Sequence, residues 1–269
     1  MNIIEPETTA DRFVDERSAP PVVHVAGNEL TIFVQSTPLI DAMVADIAAS
    51  KTRVWVESYI FADDAVGQQV AAALCERARA GLDVRVLYDG VGSIRTSSGF
   101  FERMAHSGVK VHAFHTVWQA LRELAFLSVL NRRDHRKLLI VDDRVAYFGG
   151  MNIVDQRGIA TVADAKARRL PVSAGWRDVH VRLSGPRQHK IARAFDRLWQ
   201  RVNHEPPIAS PRWPIKQMLR SRSESIFFFD SRLTLLRYHR PQRVFVPLIR
   251  GARRTITLSM AYFIPQGRI

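Results

Sequence analysis

The chain has 269 residues, 46% hydrophobic and 24% charged, which is ordinary for a globular protein with a sizeable core. Its formal charge of +13 is not ordinary, and draws it toward polyanions, either nucleic acid or an anionic lipid surface. One cysteine, Cys75, excludes an internal disulfide and a cysteine-based zinc cluster, and no apolar run reaches the roughly 18 residues that cross a bilayer.

Residues 1–27 are polar at the start, with Glu5, Glu7, Asp11, Asp15 and Glu16 and no apolar signal-peptide core, and read as a disordered lead. From there strand and helix alternate. Glu29 to Gln35 reads as a strand, and Thr37-Pro38 opens a helix through Leu39, Ile40, Met43, Val44 and Ile47, apolar at helical spacing. Arg53 to Ile60 is a second strand. Ala65 to Ala80 is a helix closed by Gly81, and Cys75 within it reads as a buried structural thiol. Leu82 to Tyr88 is a third strand, Phe100 to His106 a short helix and Val109 to Phe114 a fourth strand. This alternation predicts an α/β layered domain, a mainly parallel mixed sheet with helices on both faces.

Val117 to Leu130 is rich in large apolar residues and runs into Asn131-Arg132-Arg133. It reads either as a helix packed on the core or as a segment that dips into a lipid interface while the arginines meet headgroups. Then comes Asp134-His135-Arg136-Lys137, the apolar strand Leu138 to Val141, Asp142, the partner strand Val145 to Phe148 in a hairpin over 142–144, and Gly149-Gly150-Met151-Asn152. On a strand, residues two apart share a face, so His135 and Lys137 project together while Arg136 points away. A nucleophile or general acid thus sits beside a fixed cation, which suits an anionic phosphoryl group. The region 155–174 is looser. Asp178 to Leu183 reads as a strand, where His180 alternates with valines and is assigned to a polar sheet face, and a helix follows from Pro186 to about Val202. His112 and His115 stand near a strand end and are expected in solvent. No histidine cluster has zinc-ligand spacing.

His135-x-Lys137-x4-Asp142 followed by Gly149-Gly150-x-Asn152 resembles the HKD motif of the phospholipase D superfamily. Tyr59-Ile60-Phe61-Ala62-Asp63-Asp64, Leu87-Tyr88-Asp89-Gly90-Val91-Gly92-Ser93, Asn131-Arg132-Arg133 and Trp176 to Pro186 are similar to bacterial cardiolipin synthases, over about residues 28 to 269. The resemblance implies a phospholipase D-like lobe and transfer of a phosphatidyl group between phospholipids through a phosphohistidine. His135 is the candidate nucleophile or general acid. Lys137, Asn152 and Gly150 are the candidate phosphate-binding residues, the small Gly149-Gly150 pair letting backbone approach the ligand. Asp142, part of the motif, is ranked as structural support. Asp178 matches the family's acid that orients the histidine, with Glu57 a weaker candidate. The implied reaction uses no metal and no cofactor.

The resemblance also implies two homologous lobes. Lys51 to Phe61 lies without gaps on Arg254 to Ile264, Tyr59 falling on Tyr262. A second motif at equal spacing would fall 76 residues beyond Tyr262, past Ile269, and no other His-x-Lys occurs in the chain. The expected organisation is a lead at 1–27, a first lobe at 28–205, a linker and helix at 206–251, and the opening strand of a truncated second lobe at 252–269. The expected partners are an anionic, phosphatidylglycerol-type phospholipid and the inner face of the bacterial cytoplasmic membrane, met peripherally from the cytoplasm, with a second lobe or a second copy completing the site. Two alternatives remain at this point: a phosphodiesterase or nuclease active as a homodimer on nucleic acid, and an inactive module that docks on anionic surfaces.

Overall fold

The computed structural model describes residues 19–114, 135–155, 178–203 and parts of 246–256. Among the described residues eight strands form one sheet: β1 (Val22–Val25), β2 (Asn28–Phe33), β3 (Arg53–Ser58), β4 (Asp83–Asp89), β5 (Lys110–Phe114), β6 (Leu138–Val141), β7 (Val145–Gly149) and β8 (His180–Ser184). The helices described with them are α1 (Ser36–Ala48), α2 (Ala65–Arg79), α3 (Ser98–His106) and α4 (Gln188–Val202). The spatial order is β1-β2-β8-β7-β6-β3-β4-β5.

The helices start where the chain supplies acceptors for free N–H groups. Asp64 accepts from Gly67 N at 2.9 Å to cap α2, and Ser97 accepts from Phe100 N at 3.3 Å to cap α3. Two cores form on opposite faces of the sheet. Leu39, Ile40, Met43 and Ile47 of α1, Val70 and Leu74 of α2 and Phe100 and Met104 of α3 pack on Val54, Val56, Val84, Val86, Leu139 and Val141. On the other face Ile191, Phe195, Leu198 and Trp199 of α4 pack on Trp55, Leu87, Leu138 and Ile140. Strand alternation sends neighbouring residues of β3 and β6 to different cores, so both strands are buried on both sides.

The sheet is mixed, but its balance corrects the expectation of a mainly parallel one. Only β3–β4 and β4–β5 are parallel, and the other five pairings are antiparallel. The crossovers through α2 and α3 produce the parallel pairs. Beyond residue 135 no helix separates β6 from β7, which therefore form the hairpin foreseen over 142–144. The lead is also shorter than expected. Val22–Val25, assigned to it from sequence, pair with β2 in a hairpin whose two central residues, Ala26 and Gly27, both have positive φ. The segment 117–134, His115, the region 156–177, the linker up to residue 245 and most of 252–269 lie outside the described residues.

Candidate functional site

Sheet polarity brings the motif residues to one edge. The carboxyl ends of β3 and β4 define it. β6 runs antiparallel to β3, so its amino end arrives there, followed by the carboxyl end of β7 and the amino end of β8. Open α/β sheets commonly bind ligands at this edge.

His135 and Lys137 stand where β6 begins. The His135 ring is exposed and packs on Tyr59, centroid to centroid 4.7 Å at an interplanar angle of 53°. Lys137 is buried at 3% exposure. Its Nζ donates to the His135 carbonyl at 2.7 Å and lies 5.0 Å from the Tyr59 ring centroid, within cation–π range. A buried ammonium and an accessible histidine thus share the Tyr59 ring.

Tyr59 is itself fixed from below. Asp89 Oδ1 accepts from Val91 N and Gly92 N, both at 2.9 Å, which folds the loop after β4 back on itself. A Cβ on Gly92 would come within 2.2 Å of Tyr59 O and 2.8 Å of its ring, so only glycine permits this contact. Ser93 Oγ accepts from Phe61 N at 3.1 Å and donates to Tyr59 O at 3.3 Å. The phrases Tyr59 to Asp64 and Leu87 to Ser93 therefore form one support for the aromatic face under His135.

The carboxyl end of β7 closes the edge. Asn152 Oδ1 accepts from Ile60 N at 3.2 Å, which makes Nδ2 the end that can donate elsewhere. The space beside the glycine pair is filled by protein. A Cβ on Gly149 would lie 2.4 Å from Val179 O and 2.5 Å from His180 Cα, and one on Gly150 would lie 2.1 Å from Asp178 Oδ1. Gly150 N donates to Val179 O at 2.9 Å, and Asp178 Oδ1 accepts from Val179 N at 2.7 Å. The glycines thus seat the start of β8 and carry the exposed Asp178 carboxylate to the same edge as His135.

Other expected site residues go elsewhere. Asp142 lies at the opposite end of β6, in the left-handed region at φ +53° that aspartate tolerates better than most residues. Its carboxylate accepts from Lys51 N, Thr52 N, Thr52 Oγ1 and Arg53 N, tying the hairpin to the start of β3. Burial pushes its pKa up, but the backbone N–H groups of Arg53 and Thr52, the Thr52 hydroxyl and Lys51 N together hold it below the usual carboxylate range. Glu57 belongs to the α4 face, 2% exposed, where Arg136 grips both its oxygens (Nε to Oε1 2.6 Å, Nη2 to Oε2 3.0 Å) and also donates to Ala194 O. This is the direction in which Arg136 was expected to point.

Two histidine readings are corrected. His180 is not on a polar face. It is 1% exposed and sits on the Lys137 side of the sheet, because the strand continues the pattern that places Arg182 beside Asp46 of α1. Desolvation, and then the Lys137 charge, push its pKa down to about 3. His112 is half-buried with its ring edge on Trp199 at 4.8 Å, rather than in solvent. Residue-by-residue reading also missed Tyr59 as a site residue, although its overlay on Tyr262 in the repeat was the available signal.

Residues 43–165 match the family described as cardiolipin synthase, PLD-like domain. Cardiolipin synthase A of Pseudomonas aeruginosa is 28% identical over 246 residues, 91% of this chain and 46% of that one. The major cardiolipin synthase of Bacillus subtilis is 27% identical over 257 residues, 92% of this chain and 48% of that one. The chain thus spans about half the length of these curated relatives. Among solved structures, the phospholipase D family member Nuc of Salmonella typhimurium superposes with a TM-score of 0.44 at 16% identity, covering 68% of this chain and 99% of that one. At residues 43–165 the chain is thus similar to the phospholipase D-like domain of cardiolipin synthases.

Proposed function

We propose that this chain contributes one half of a phosphatidyltransferase site. His135 attacks the phosphorus of an anionic phospholipid of the phosphatidylglycerol type, and the P–O bond to the headgroup alcohol breaks. That alcohol leaves with a proton from a second histidine. A glycerol hydroxyl of another phospholipid then attacks the phosphohistidine, its proton returning to the second histidine, and His135 is released. The observation that carries the reading is that the exposed His135 and the buried Lys137 ammonium both meet the Tyr59 ring at the carboxyl edge of the sheet. Lys137 supplies a fixed positive charge and Asn152 Nδ2 a neutral donor to the phosphoryl oxygens. Asp178, at the rim beside Gly150, accepts from the His135 ring and fixes its tautomer.

The second histidine comes from another lobe of a longer protein or from a second copy, since the sequence holds one His-x-Lys. The charge of +13 favours contact with an anionic membrane surface from the cytoplasmic side. No described helix is long and apolar enough to cross a membrane, and the match to cardiolipin synthases favours lipid over nucleic acid. The test is a denaturing quench at neutral pH, which spares the P–N bond, followed by peptide mapping after incubation with phosphatidylglycerol vesicles. A phosphatidyl adduct on His135, absent in His135→Ala, supports the reading. An adduct on another residue, or phospholipid turnover undiminished in His135→Ala, would overturn it.

A further inference from the structure

Behind the candidate site lies a small internal cavity lined by Lys137, His180, Ser58, Met43, Ile47 and Met151 among others. His180 is the unexplained member. It is 1% exposed, and among the described residues neither ring nitrogen has a hydrogen-bond partner. Leaving a buried polar group unpaired costs about 1–3 kcal/mol, and folded proteins rarely do so. The neutral imidazole offers one lone-pair nitrogen as acceptor and one N–H as donor. The backbone reserves room for this ring, because a Cβ on Gly149 would come within 2.8 Å of His180 Cγ. The charge that acts on the ring is that of Lys137. The cavity measures about 10 Å³, the lower limit of what one water needs.

We propose that His180 is a positioning residue for Lys137, acting through one water held in this cavity. The ammonium donates to the water oxygen, and the water donates to the unprotonated His180 nitrogen. With His135 O taking a second ammonium proton, the two bonds hold the ammonium in one orientation. A lysine is ordinarily a mobile point charge on a flexible stem. Here the bridge converts it into an oriented donor, a property that a phosphoryl-binding group needs. Keeping the imidazole neutral is essential, because an imidazolium would repel the ammonium and has no acceptor to offer. The bridge rests on the unpartnered His180 ring and the cavity it shares with Lys137, and only its consequence for phosphate rests on the reading proposed above.

Ring-nitrogen NMR of the full chain tests the bridge without requiring activity. At pH 7 His180 is expected as a single neutral tautomer. Its unprotonated nitrogen should be displaced upfield by an accepted hydrogen bond, with a cross-relaxation signal from a slowly exchanging water to the ring protons. Lys137→Met should move that nitrogen. A nitrogen at the position of a free imidazole with no water signal would overturn the proposal, and the water signal in the native protein decides the point even where Lys137→Met does not fold. A second arm measures the dissociation constant of inorganic phosphate. His180→Leu should weaken it roughly ten-fold or more, and His180→Gln, which keeps an acceptor, should recover most of the loss. Equal affinity in native protein, His180→Leu and His180→Gln overturns the positioning role. A bridge seen by NMR in a native chain that binds no phosphate supports the bridge and counts against the phosphate reading alone.

Discussion

Gly149 and Gly150 make contrasting predictions. Neither has positive φ, so alanine meets no backbone strain at either position. Alanine should even contribute about 0.4–1 kcal/mol by restricting the unfolded chain. What opposes it differs. At Gly149 the new Cβ meets backbone, Val179 O at 2.4 Å and His180 Cα at 2.5 Å, and ordinary contact at 3.4 Å requires β8 to retreat by 0.9 to 1.0 Å. That strand is paired on both sides, with β2 and β7, and cannot shift alone. Overpacking of this kind costs about 1–3 kcal/mol, leaving a net loss of about 1.3 kcal/mol at mid-range after the chain-entropy gain. At Gly150 the obstacle is the Asp178 carboxylate, with atoms at 2.1 to 2.4 Å. It is the end of an exposed side chain and can rotate away for little. Gly150→Ala should therefore leave stability within about 0.5 kcal/mol of native while displacing the carboxylate from the edge it shares with His135. Urea unfolding followed by circular dichroism measures both. Equal losses for the two variants, or a Gly149→Ala protein as stable as native, would refute this account of the glycine pair.

Replacing Glu57 by alanine removes the buried carboxylate that grips Arg136 on the α4 face, and should destabilise by about 3–5 kcal/mol. The double variant Glu57→Met with Arg136→Met should recover most of that in urea unfolding, and additivity of the two single losses would count against a coupled pair. Asp142→Ala should lose about 2 kcal/mol through its hydrogen bonds to the start of β3 and its left-handed backbone. Asp142→Asn, which tolerates that backbone, should lose less. Stability should also fall between about pH 6.5 and pH 3. The unfolded His180 imidazole titrates near 6.5 whereas the folded one titrates only near 3, so the unfolded state takes up the proton first. The stabilisation is complete above the unfolded value and is lost as pH falls toward the folded one. His180→Leu should flatten this part of the pH–stability curve, and an unchanged slope would refute the buried, neutral assignment.

The strands and helices were legible because the two periodicities are clean. The strand Leu138–Val141, the hairpin that follows it and the apolar stripe of α4 appear where spacing puts them. The β1–β2 hairpin escaped notice because its turn is Ala26-Gly27 rather than an asparagine–glycine pair, and alanine gives no hint of positive φ. Its Asn28 stabilises the turn from just outside, donating to Ala26 O at 2.9 Å. Strand direction was misjudged because alternating helices suggest parallel pairing, and nothing local to β8 says that it returns beside β2. At the site, alternation along a strand is enough to separate Lys137 from Arg136. It cannot say that His180 lies under Lys137, since β6 and β8 are not neighbours and meet only across β7. Nor can it say that Gly92 exists to admit Tyr59, a contact between two loops 33 residues apart.

The central claim is that His135, Lys137 and Asn152 together hold a phosphoryl group at this edge. Binding of a short-chain, water-soluble phosphatidylglycerol to the full chain, followed by calorimetry with NMR of the His135 ring, tests it without a second motif. The account predicts saturable binding that shifts the His135 ring resonances, and that weakens roughly ten-fold or more in Lys137→Ala. Binding of equal strength in native protein and Lys137→Ala, with the His135 ring undisturbed, would contradict it.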